Sequence, residues 1–482
     1  MRRVAWLSAL GFIFGLAAQA QVPAALKPFV KTDAPVLALE HVRVIDGTGA
    51  AAREDQLVVL DHGKIAYAGA MVADEVPSGA KALDERGKTV FPGLVGMHEH
   101  LFYPTPDGGP GLLPLYGEMA DSAPRLYLAG GVTTARTTGS IEPYADISVK
   151  KLIDSGAIPG PHLYLTSPYL EGSPSIGPQL HELTGPEDAT RTVNYWASQG
   201  MTSFKAYMHI TPAELKAAID AAHARGLKIT GHLCSVGFRE AAAMGIDNLE
   251  HGLMVDTEFY PGKKPGVCPM ERLVVKALAN LDVEGPQIQG MIKDLIAHHV
   301  AVTSTLAVFE TFVPNLPPLK EEMRVREAMT PDAWGAYTTT RARIAEQANG
   351  WAFSPKVLRM EMQFEHDFAK QGGLLMAGCD PTGYGGVVAG FCDQRELELL
   401  VQAGFTPEEA IHVATENGAK WLGIDARVGT IAAGKNADLV LVDGNPAKDI
   451  NDVEKVDTVF KDGVGYDPQK LRESVRGLTG LR

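Results

Sequence analysis

Short apolar runs alternate with helical patterns between residues 88 and 421. Eight runs have the length and the β-branched content of buried strands, and a turn or an amphipathic segment of helical length follows each of them. They span residues 90–96, 131–136, 162–166, 201–205, 227–232, 246–251, 300–305 and 374–380. Strands that alternate with helices form a parallel sheet, so this pattern predicts an α/β fold with a TIM-like (β/α)8 barrel over residues 88–421.

Two of the intervening helices carry clear start signals. Residues 211–214 (TPAE) and 406–409 (TPEE) each combine a threonine cap, a proline in the first turn and a glutamate at the third helical position. Gly226 is expected to end the first of these helices, because glycine readily adopts the left-handed conformation that closes many helices.

Two segments outside this region have the pattern of strands and turns. Residues 36–87 include a hairpin pattern, in which 57–60 and 64–69 flank a turn that contains His62. Residues 428–468 include the apolar runs 437–443 and 458–463. Because chain ends often lie close together, we expect these two segments to pair into one small β-sandwich beside the barrel.

A long segment of about residues 306–372 separates the seventh run from the eighth. Its pattern is mostly helical, and it is far longer than an ordinary connection between two elements. Such an insertion lies at the end of the barrel where the strands finish, so it would cover the pocket and shape specificity. The alternative is a helical excursion without a role, and the sequence favours neither.

Residues 1–20 have the features of a cleavable signal peptide. Two arginines precede an apolar run over residues 4–16, and residues 18–20 (AQA) supply small side chains for cleavage. The run is short for a membrane span, no later segment looks membrane-spanning, and no cysteine follows the cleavage point to carry a lipid. We therefore expect a periplasmic or secreted protein without a membrane anchor.

The composition is typical of a large enzyme. The chain has 482 residues, 45% of them hydrophobic and 21% charged, which is enough for a barrel of roughly 250 residues and a second domain. The formal net charge of −14 disfavours nucleic acid and anionic membrane surfaces as partners. A small-molecule substrate remains the expected partner, and a homo-oligomer is compatible with the sequence.

Polar side chains stand where several of the apolar runs end. His98 and His100 are two residues apart, and side chains with this spacing share one face of a strand, so both imidazoles can reach one metal ion. Four other runs finish at Lys205, His232, His251 and Asp380. A (β/α)8 barrel builds its site from the carboxyl ends of its strands, so we expect these positions to converge, although a pair of histidines also occurs by chance.

The chain has four cysteines, too few for a disulfide framework in a protein of this length. Cys234 follows His232 closely and Cys379 precedes Asp380, which would suit ligands or nucleophiles. We expect small buried packing residues instead, because thiols are among the most often buried side chains. One bridge, between Cys379 and Cys392, stays open in an oxidising compartment.

Several motifs resemble those of the amidohydrolase superfamily. They are residues 92–100 (PGLVGMHEH), 131–134 (GVTT), the lysine, two histidines and aspartate named above, 414–419 (ATENGA) and 434–439 (GKNADL). The resemblance covers nearly the whole chain after the signal peptide. Within the superfamily the chain is most similar to the imidazolonepropionase-related binuclear branch, which includes Xaa-Pro dipeptidase-like enzymes and amidases such as ochratoxin hydrolase.

The resemblance implies two divalent metal ions. His98 and His100 would bind the more buried ion, with Asp380 completing its ligands, and His232 and His251 would bind the second. Zinc is the favoured metal because imidazole and carboxylate ligands suit it, while manganese, cobalt and iron accept the same ligands.

The resemblance places Lys205 between the two ions. An ammonium group has no lone pair to give a metal, so the lysine would be carboxylated by CO2 to an anionic carbamate. A carbamate and a hydroxide would offset the repulsion between two cations about 4 Å apart. The alternative for Lys205 is a surface lysine whose aliphatic stem packs on the protein.

The implied activity is hydrolysis of an amide bond in a dipeptide, an N-acyl amino acid or a related amide. A metal-bridging hydroxide would attack the carbonyl carbon, and Asp380 would accept the proton of the water and deliver it to the leaving nitrogen. Side chains after the barrel strands that could contact the substrate are Tyr169, Tyr207, His209 and His181, and Arg136 could meet a substrate carboxylate. Packing or surface roles are the alternative for each of them.

Two other functions stay open. A mononuclear deaminase or a cyclic amide or lactone hydrolase of the same superfamily would not need Lys205. A non-catalytic relative would usually have lost several ligands, whereas all six are present here.

Overall fold

The computed structural model describes residues 22–104, 115–348 and 351–481 and shows an α/β protein with mixed sheets. Its strands, in chain order, are β1 (Val30–Thr32), β2 (Val36–Val44), β3 (Arg53–Asp61), β4 (Lys64–Ala70), β5 (Lys81–Asp84), β6 (Thr89–Pro92), β7 (Leu94–Glu99), β8 (Phe102–Pro104), β9 (Tyr116–Glu118), β10 (Val132–Thr137), β11 (His162–Tyr164), β12 (Thr166–Leu170), β13 (Ser203–Ala206), β14 (Lys228–Gly231), β15 (Asn248–Glu250), β16 (Ala301–Ser304), β17 (Leu375–Ala377), β18 (Leu439–Val442), β19 (Val456–Lys461) and β20 (Val464–Tyr466).

The helices lie between and beyond these strands. They are α1 (Ser122–Gly130), α2 (Pro143–Asp154), α3 (Pro186–Ser198), α4 (Pro212–His223), α5 (Phe238–Met244), α6 (Glu271–Leu278), α7 (Pro286–Ala297), α8 (Leu306–Phe312), α9 (Leu319–Val325), α10 (Pro331–Glu346), α11 (Pro355–Lys370), α12 (Phe391–Gln402), α13 (Pro407–His412), α14 (Gly418–Leu422) and α15 (Pro468–Glu473). None of the helices in these ranges has both the length and the apolar character needed to cross a membrane.

The central strands are β7 and β10 to β17, and all of them pair in parallel. One sheet has the order β11-β10-β7, and a second has the order β12-β13-β14-β15-β16-β17. Hydrogen bonds join the two sheets at both borders: the Ser140 backbone N–H, beyond β10, donates to Ser167 O in β12 at 3.1 Å, and the Asp380 backbone N–H donates to His98 O at 2.8 Å. Helices cover these strands, which explains why their residues are buried and read as continuous apolar runs.

Every predicted run contains a central strand, but two runs divide in the structure. The first run contributes β6 to another sheet and β7 to the central strands, with Gly93 between them. The predicted boundary at residue 88 is therefore wrong for β6, whose backbone pairs with β2 and β18. The third run breaks at Leu165, where the chain changes its neighbour from β10 to β13, and it continues to Leu170.

Strands from both ends of the chain form one mixed sheet of nine strands, here called the terminal sheet. Its order is β1-β20-β19-β18-β6-β2-β3-β4, and β5 pairs with the far end of β2. The expected pairing of the two chain ends is thus present, and β6 connects them by bonding to β2 on one side and β18 on the other. Some of its apolar residues, among them Leu39, Leu60 and Phe460, form a cluster separate from the main core.

The helix signals in the sequence correspond to observed caps. Thr211 accepts the backbone N–H of Glu214 while Glu214 bonds back to the Thr211 N–H, and Thr406 and Glu409 do the same. Gly226 has φ +67° and lies just beyond α4.

The predicted insertion is helical. It holds α8 to α10, and α11 then returns the chain to β17. The sequence did not predict β8 and β9, a pair of short strands after His100, because they lack a clear alternating pattern.

All four cysteines are paired, as Cys234–Cys268 and Cys379–Cys392. The expectation of free packing thiols is therefore wrong, although the second bridge had been left open. Cys268 lies in the long connection between β15 and α6, and the sequence gives no indication that this connection folds back onto the loop after β14.

Candidate metal centre

The six predicted ligands lie together at the carboxyl ends of the central strands. His98 lies in β7 and His100 follows it, Lys205 lies in β13, and the other three follow β14, β15 and β17. All six side chains are buried or nearly so. The parallel strands end at one edge, which is why residues so far apart in sequence meet.

Short distances connect the group. His100 Nε2 lies 3.2 Å from Asp380 Oδ1, and His98 Nε2 lies 3.8 Å from the same oxygen. His251 Nδ1 lies 3.9 Å from Asp380 Oδ2. The ring centroid of His251 is 4.6 Å from that of His98 and 4.5 Å from that of His232.

Two of these residues have an unusual backbone. His251 has φ +69° and Asp380 has φ +50°. These values lie in the left-handed backbone region, which residues other than glycine rarely adopt. Such conformations cluster at functional sites, where the surrounding structure holds them. Here they occur directly beyond the ends of β15 and β17.

Three of the four imidazoles are held by a hydrogen bond on one ring nitrogen. His98 Nδ1 donates to Glu250 Oε2 at 2.8 Å, and His100 Nδ1 donates to the Gly139 carbonyl at 3.2 Å. His251 Nδ1 lies 2.8 Å from Thr305 Oγ1. For His98 and His100 this leaves Nε2 directed at Asp380, and such partners are what orient metal-binding histidines in proteins.

Burial keeps the imidazoles of His98, His232 and His251 neutral, which is the form that binds metal. It lowers the pKa of His98 and His251 well below the usual value, and it lowers the pKa of His232 to about 3, with Lys205 adding to each effect. Burial opposes ionisation of Asp380, but His98 and His100 outweigh it and leave the Asp380 pKa low.

Lys205 is a buried amine without a hydrogen-bond partner. Its side chain is 1% exposed, and its Nζ bonds to no atom of the described residues. Burial lowers its pKa to about 8, against the opposing effect of Glu250 and Asp380. Buried polar atoms in proteins are nearly always satisfied, so this orphan indicates a missing group beside Nζ.

Glu250 and Arg136 form a buried ion pair beneath the centre. Arg136 Nη2 lies 2.7 Å from Glu250 Oε1, and the same guanidinium donates to the Met97 carbonyl and stacks 4.7 Å from the Trp421 ring. Burial disfavours the Glu250 carboxylate, but Arg136 and Lys205 lower its pKa overall. Arg136 is fully buried and does not line the cavity, so its predicted role with a substrate carboxylate is wrong.

A cavity of about 280 Å³ opens above the six residues. Most of its wall is apolar or aromatic, and among the described lining residues Lys205 is the only lysine or arginine. Tyr169 and Tyr207 line it as predicted, with their rings 4.5 Å apart, and Tyr207 lies 5.2 Å from the His232 ring. Sequence reasoning missed the further lining residues Phe102, Tyr116, Val308, Phe309 and Phe312.

Two predicted contact residues face away from this cavity. His209 bonds through Nδ1 to Glu171 at 2.9 Å, and His181 lies 3.2 Å from Asp188 with a largely exposed side chain. Neither lines the cavity, because each has a carboxylate partner outside it. A position after a strand was the only signal for both, and it does not give the direction of the side chain.

The insertion contributes to the cavity. Val308, Phe309 and Phe312 all belong to α8, and Phe309 packs edge-on against His251 with 5.7 Å between centroids. At α8, the segment directly after β16, the structure thus supports the alternative in which the insertion covers the pocket.

The donor set fits divalent metal ions. His98, His251 and Asp380 place ligand atoms within 4.8 Å of one another, and His100, His232 and Lys205 surround them. Nitrogen and carboxylate donors of this kind suit zinc and related metals, and Lys205, whose Nζ has no partner among the described residues, also lines the cavity.

Sequence comparison places the chain among the amidohydrolases. The sequence model of the amidohydrolase family matches residues 89–258 and 334–464, more than half of the chain. A dihydroorotase from Pelotomaculum thermopropionicum is 24% identical over 427 residues, which is 83% of this chain and 87% of the relative.

Solved structures share the fold. A Xaa-Pro dipeptidase with bound methionine in the active site is 21% identical, with a TM-score of 0.64 over 90% of this chain and 100% of the other. Ochratoxinase from A. niger is 19% identical, with a TM-score of 0.61 over 93% of this chain and 100% of the other.

Proposed function

Since the chain belongs to the amidohydrolase family, we propose that it is a metal-dependent hydrolase of amide bonds in dipeptides, N-acyl amino acids or related amides. The proposal includes a dinuclear centre. His98, His100 and Asp380 would hold one ion, and His232 and His251 would hold the second. The similarity to a Xaa-Pro dipeptidase and to ochratoxinase supports this substrate class.

One observation carries the proposal: a buried lysine amine without a partner lies among four histidines and an aspartate. A lysine in that position has no purpose as a free ammonium, because it would repel any metal ion there. Addition of the neutral amine to CO2, with loss of a proton from nitrogen, gives a carbamate whose two oxygens could contact both ions. Lys205 would then be the anion that connects the two halves of the centre.

The chain's own residues supply the remaining chemistry. Bound divalent ions would activate a water molecule and polarise the substrate carbonyl. Asp380 would accept the proton of the attacking water and pass it to the leaving nitrogen, and Thr382 Oγ1, which donates to Asp380 Oδ1 at 2.8 Å, would hold that carboxylate in place. Zinc is the proposed metal because it suits these ligands and needs no redox chemistry.

The cavity wall favours amides with an apolar side chain. Phe309 and Phe312 from the insertion, together with Tyr169 and Tyr207, present mostly ring surface. A hydrophobic group on the substrate would bury its surface there, at about 25 cal/mol per Å².

The proposal extends to the fold and the location of the protein. The central strands would close into a (β/α)8 barrel over about residues 88–421, and the terminal sheet would curl into the sandwich built from 36–87 and 428–468. The contacts at both borders of the central sheets and the separate apolar cluster of the terminal sheet support this. Residues 1–20 would be a signal peptide that directs the chain to the periplasm or outside the cell.

A cyclic amide hydrolase is the second candidate, because the similarity to a dihydroorotase spans most of the chain. Turnover of dihydroorotate by the zinc-loaded protein, with no turnover of linear amides, would favour this candidate. The first candidate predicts the reverse: turnover of linear amides and no turnover of dihydroorotate.

Lys205→Ala tests the proposed function. We expect loss of at least about 1,000-fold in kcat/KM, as for other groups that bind a catalytic metal, and partial recovery when a short carboxylic acid such as propionate is added to replace the carbamate. The readout is hydrolysis of a panel of hydrophobic dipeptides and N-acyl amino acids.

Lys228→Ala is the matched control. Lys228 is also a partly buried amine, but it bonds to the Trp421 carbonyl and stacks on the Trp421 ring. Its loss should lower stability, and carboxylic acids should have no effect on its activity. Full activity of Lys205→Ala, or equal rescue of both variants, would contradict the proposal.

A further inference from the structure

A second group of metal-binding side chains lies at the amino ends of the central strands, away from the candidate metal centre. His162 is the first residue of β11, Asp438 directly precedes β18, and Asp462 lies in the turn between β19 and β20. The register places His162 level with Thr134, near the start of β10, whereas the candidate centre lies at the other ends of the strands. The three residues connect a central strand to the terminal sheet.

The ligand atoms of this group are close together. His162 Nε2 lies 3.2 Å from Asp462 Oδ2 and 3.9 Å from Asp438 Oδ2, and all three ligand atoms lie within 4.8 Å of one another. Donors bound at 2.0–2.1 Å in a tetrahedral shell are about 3.4 Å apart. The two measured distances lie on either side of that value.

Two of these atoms are unsatisfied. The Asp462 backbone N–H donates to Asp438 Oδ1 at 2.7 Å, which leaves Asp438 Oδ2 buried without a hydrogen bond. The Asp438 side chain is only 1% exposed and its Oδ2 faces His162. His162 Nε2 lies 3.2 Å from Asp462 Oδ2, but it makes no hydrogen bond of good geometry within the described residues. Orphaned buried atoms that face each other indicate a group between them.

The local backbone holds the carboxylates in this arrangement. Asp462 has φ +51°, and the Gly463 N–H donates to the Ala437 carbonyl at 3.0 Å, which fixes the turn beside Asp438. One face remains open, since the His162 side chain is 32% exposed. An ion and its remaining water ligands could enter from that side.

A plain ion pair is the competing explanation. A protonated His162 could lie between the two carboxylates, and Lys461 Nζ is 4.0 Å from Asp462 Oδ2. However, an ion pair between His162 and Asp462 leaves the buried Asp438 Oδ2 without a hydrogen bond, because His162 Nε2 lies 3.9 Å from it.

We infer that His162, Asp438 and Asp462 form a binding site for a divalent transition-metal ion of the zinc or manganese class. One imidazole nitrogen and two carboxylate oxygens are ligands for these metals. The ion would be structural, joining the start of β11 to the terminal sheet, and it would be bound in addition to any ions of the candidate metal centre.

Metal counting tests this site. The mature chain, His162→Ala and Asp462→Asn are each loaded with zinc, desalted and analysed by mass spectrometry for metal per chain. We expect each variant to hold about one ion fewer than the wild type, whatever the total at the candidate centre. With zinc at about 100 times the Kd of this site, the Tm of the wild type should rise about 3 °C more than that of the variants. Only the wild type gains the free energy of zinc binding at His162, Asp438 and Asp462.

His223→Ala is the matched control. The Nε2 of His223 lies 3.0 Å from Asp247 Oδ2, so this variant also loses a histidine–aspartate pair, but one without a third ligand. It should keep the full metal count. Asparagine tolerates the left-handed backbone of residue 462, so Asp462→Asn should fold even if His162→Ala does not. Equal zinc content and equal Tm shifts in all four proteins, or no anomalous zinc peak between the three residues in a crystal, would overturn the inference.

Discussion

Glu250 contacts both a candidate ligand and a buried cation. Its carboxylate accepts from His98 on one side and from Arg136 on the other, and Thr230 and Asn248 also bond to it. It therefore orients a metal-binding imidazole and compensates a guanidinium that has no access to water. Its location within an apolar run was the signal available in the sequence, because a buried acid requires a partner.

Glu250→Gln should weaken both roles. The neutral amide leaves Arg136 without a counter-charge, which should destabilise the protein by about 3–5 kcal/mol, and metal affinity or activity should fall about 10- to 100-fold. Denaturant unfolding and zinc titration measure the two effects.

The double variant Glu250→Gln/Arg136→Met separates these roles. Removing both buried charges should restore most of the stability and none of the activity. If the double variant regains activity, Glu250 does not orient His98, and the loss in the single variant came from misfolding.

At the residue scale, the sequence could predict which side chains stand at strand ends but not where they point. The six candidate ligands converge because they follow or end parallel strands. Arg136 also lies in a strand, yet its side chain points inward to Glu250. The pattern of apolar positions was continuous there, so it gave no information on which face each residue takes.

The insertion shapes the cavity at the scale of a single helix. Three side chains of α8 line the wall, and Phe312 also packs against Phe353 and Tyr384 with ring centroids about 5 Å apart. The sequence predicted a helical insertion at the correct end of the strands, but contact with the cavity depends on the orientation of α8, which periodicity alone does not give.

Phe312→Ala should alter specificity more than catalysis. The loss of ring surface should raise the KM for amides with an aromatic side chain about 10- to 100-fold. The KM for amides with glycine in place of the aromatic residue should stay nearly unchanged. Steady-state kinetics with the two substrate types measures this. Phe368→Leu is the control, because Phe368 is fully buried in α11 and does not line the cavity; equal KM changes in both variants would show that α8 does not contact the substrate.

The strand boundaries show why the sequence can predict a strand without predicting the strand that it pairs with. The runs that contain β6 and β11 read as single strands, but the structure divides each between two sheets. Buried apolar residues occur on both sides of Gly93 and Leu165, so the sequence shows no change of partner there. Pairing depends on contacts distant in sequence, which local patterns do not contain.

At the scale of the whole molecule, buried carboxyl groups connect the central strands to the helices around them. Ser304 Oγ lies 2.7 Å from Glu365 Oε2 and 2.6 Å from Glu396 Oε1, and a hydroxyl has only one proton to donate. One of the two carboxyls must therefore be protonated. Burial raises the pKa of Glu396 to about 7, and burial together with Glu361 and Glu396 raises that of Glu365 further.

This group predicts that stability falls as the pH rises. In the unfolded chain Glu396 would lose its proton near its ordinary pKa of 4.5, whereas in the folded chain it keeps the proton until about pH 7. Between these values the unfolded state binds fewer protons, so raising the pH favours unfolding, by about 3 kcal/mol or about 3 °C in Tm over the window.

Comparison with Glu396→Gln isolates this effect from metal binding, which changes with pH in both proteins. The variant should be less stable than the wild type at pH 5, and the difference should shrink towards pH 8 as the wild type loses its advantage. A Tm difference that stays constant from pH 5 to pH 8 would contradict a raised Glu396 pKa.

The account as a whole depends on two metal ions joined by a modified lysine. An anomalous diffraction map at the zinc edge, from crystals of the protein grown with zinc and bicarbonate, tests this most directly. The account predicts two zinc peaks enclosed by the four histidines and Asp380, with carbamate density extending from Lys205 Nζ to both. A single peak among these four histidines and Asp380, or an unmodified Lys205 that contacts neither ion, would contradict it.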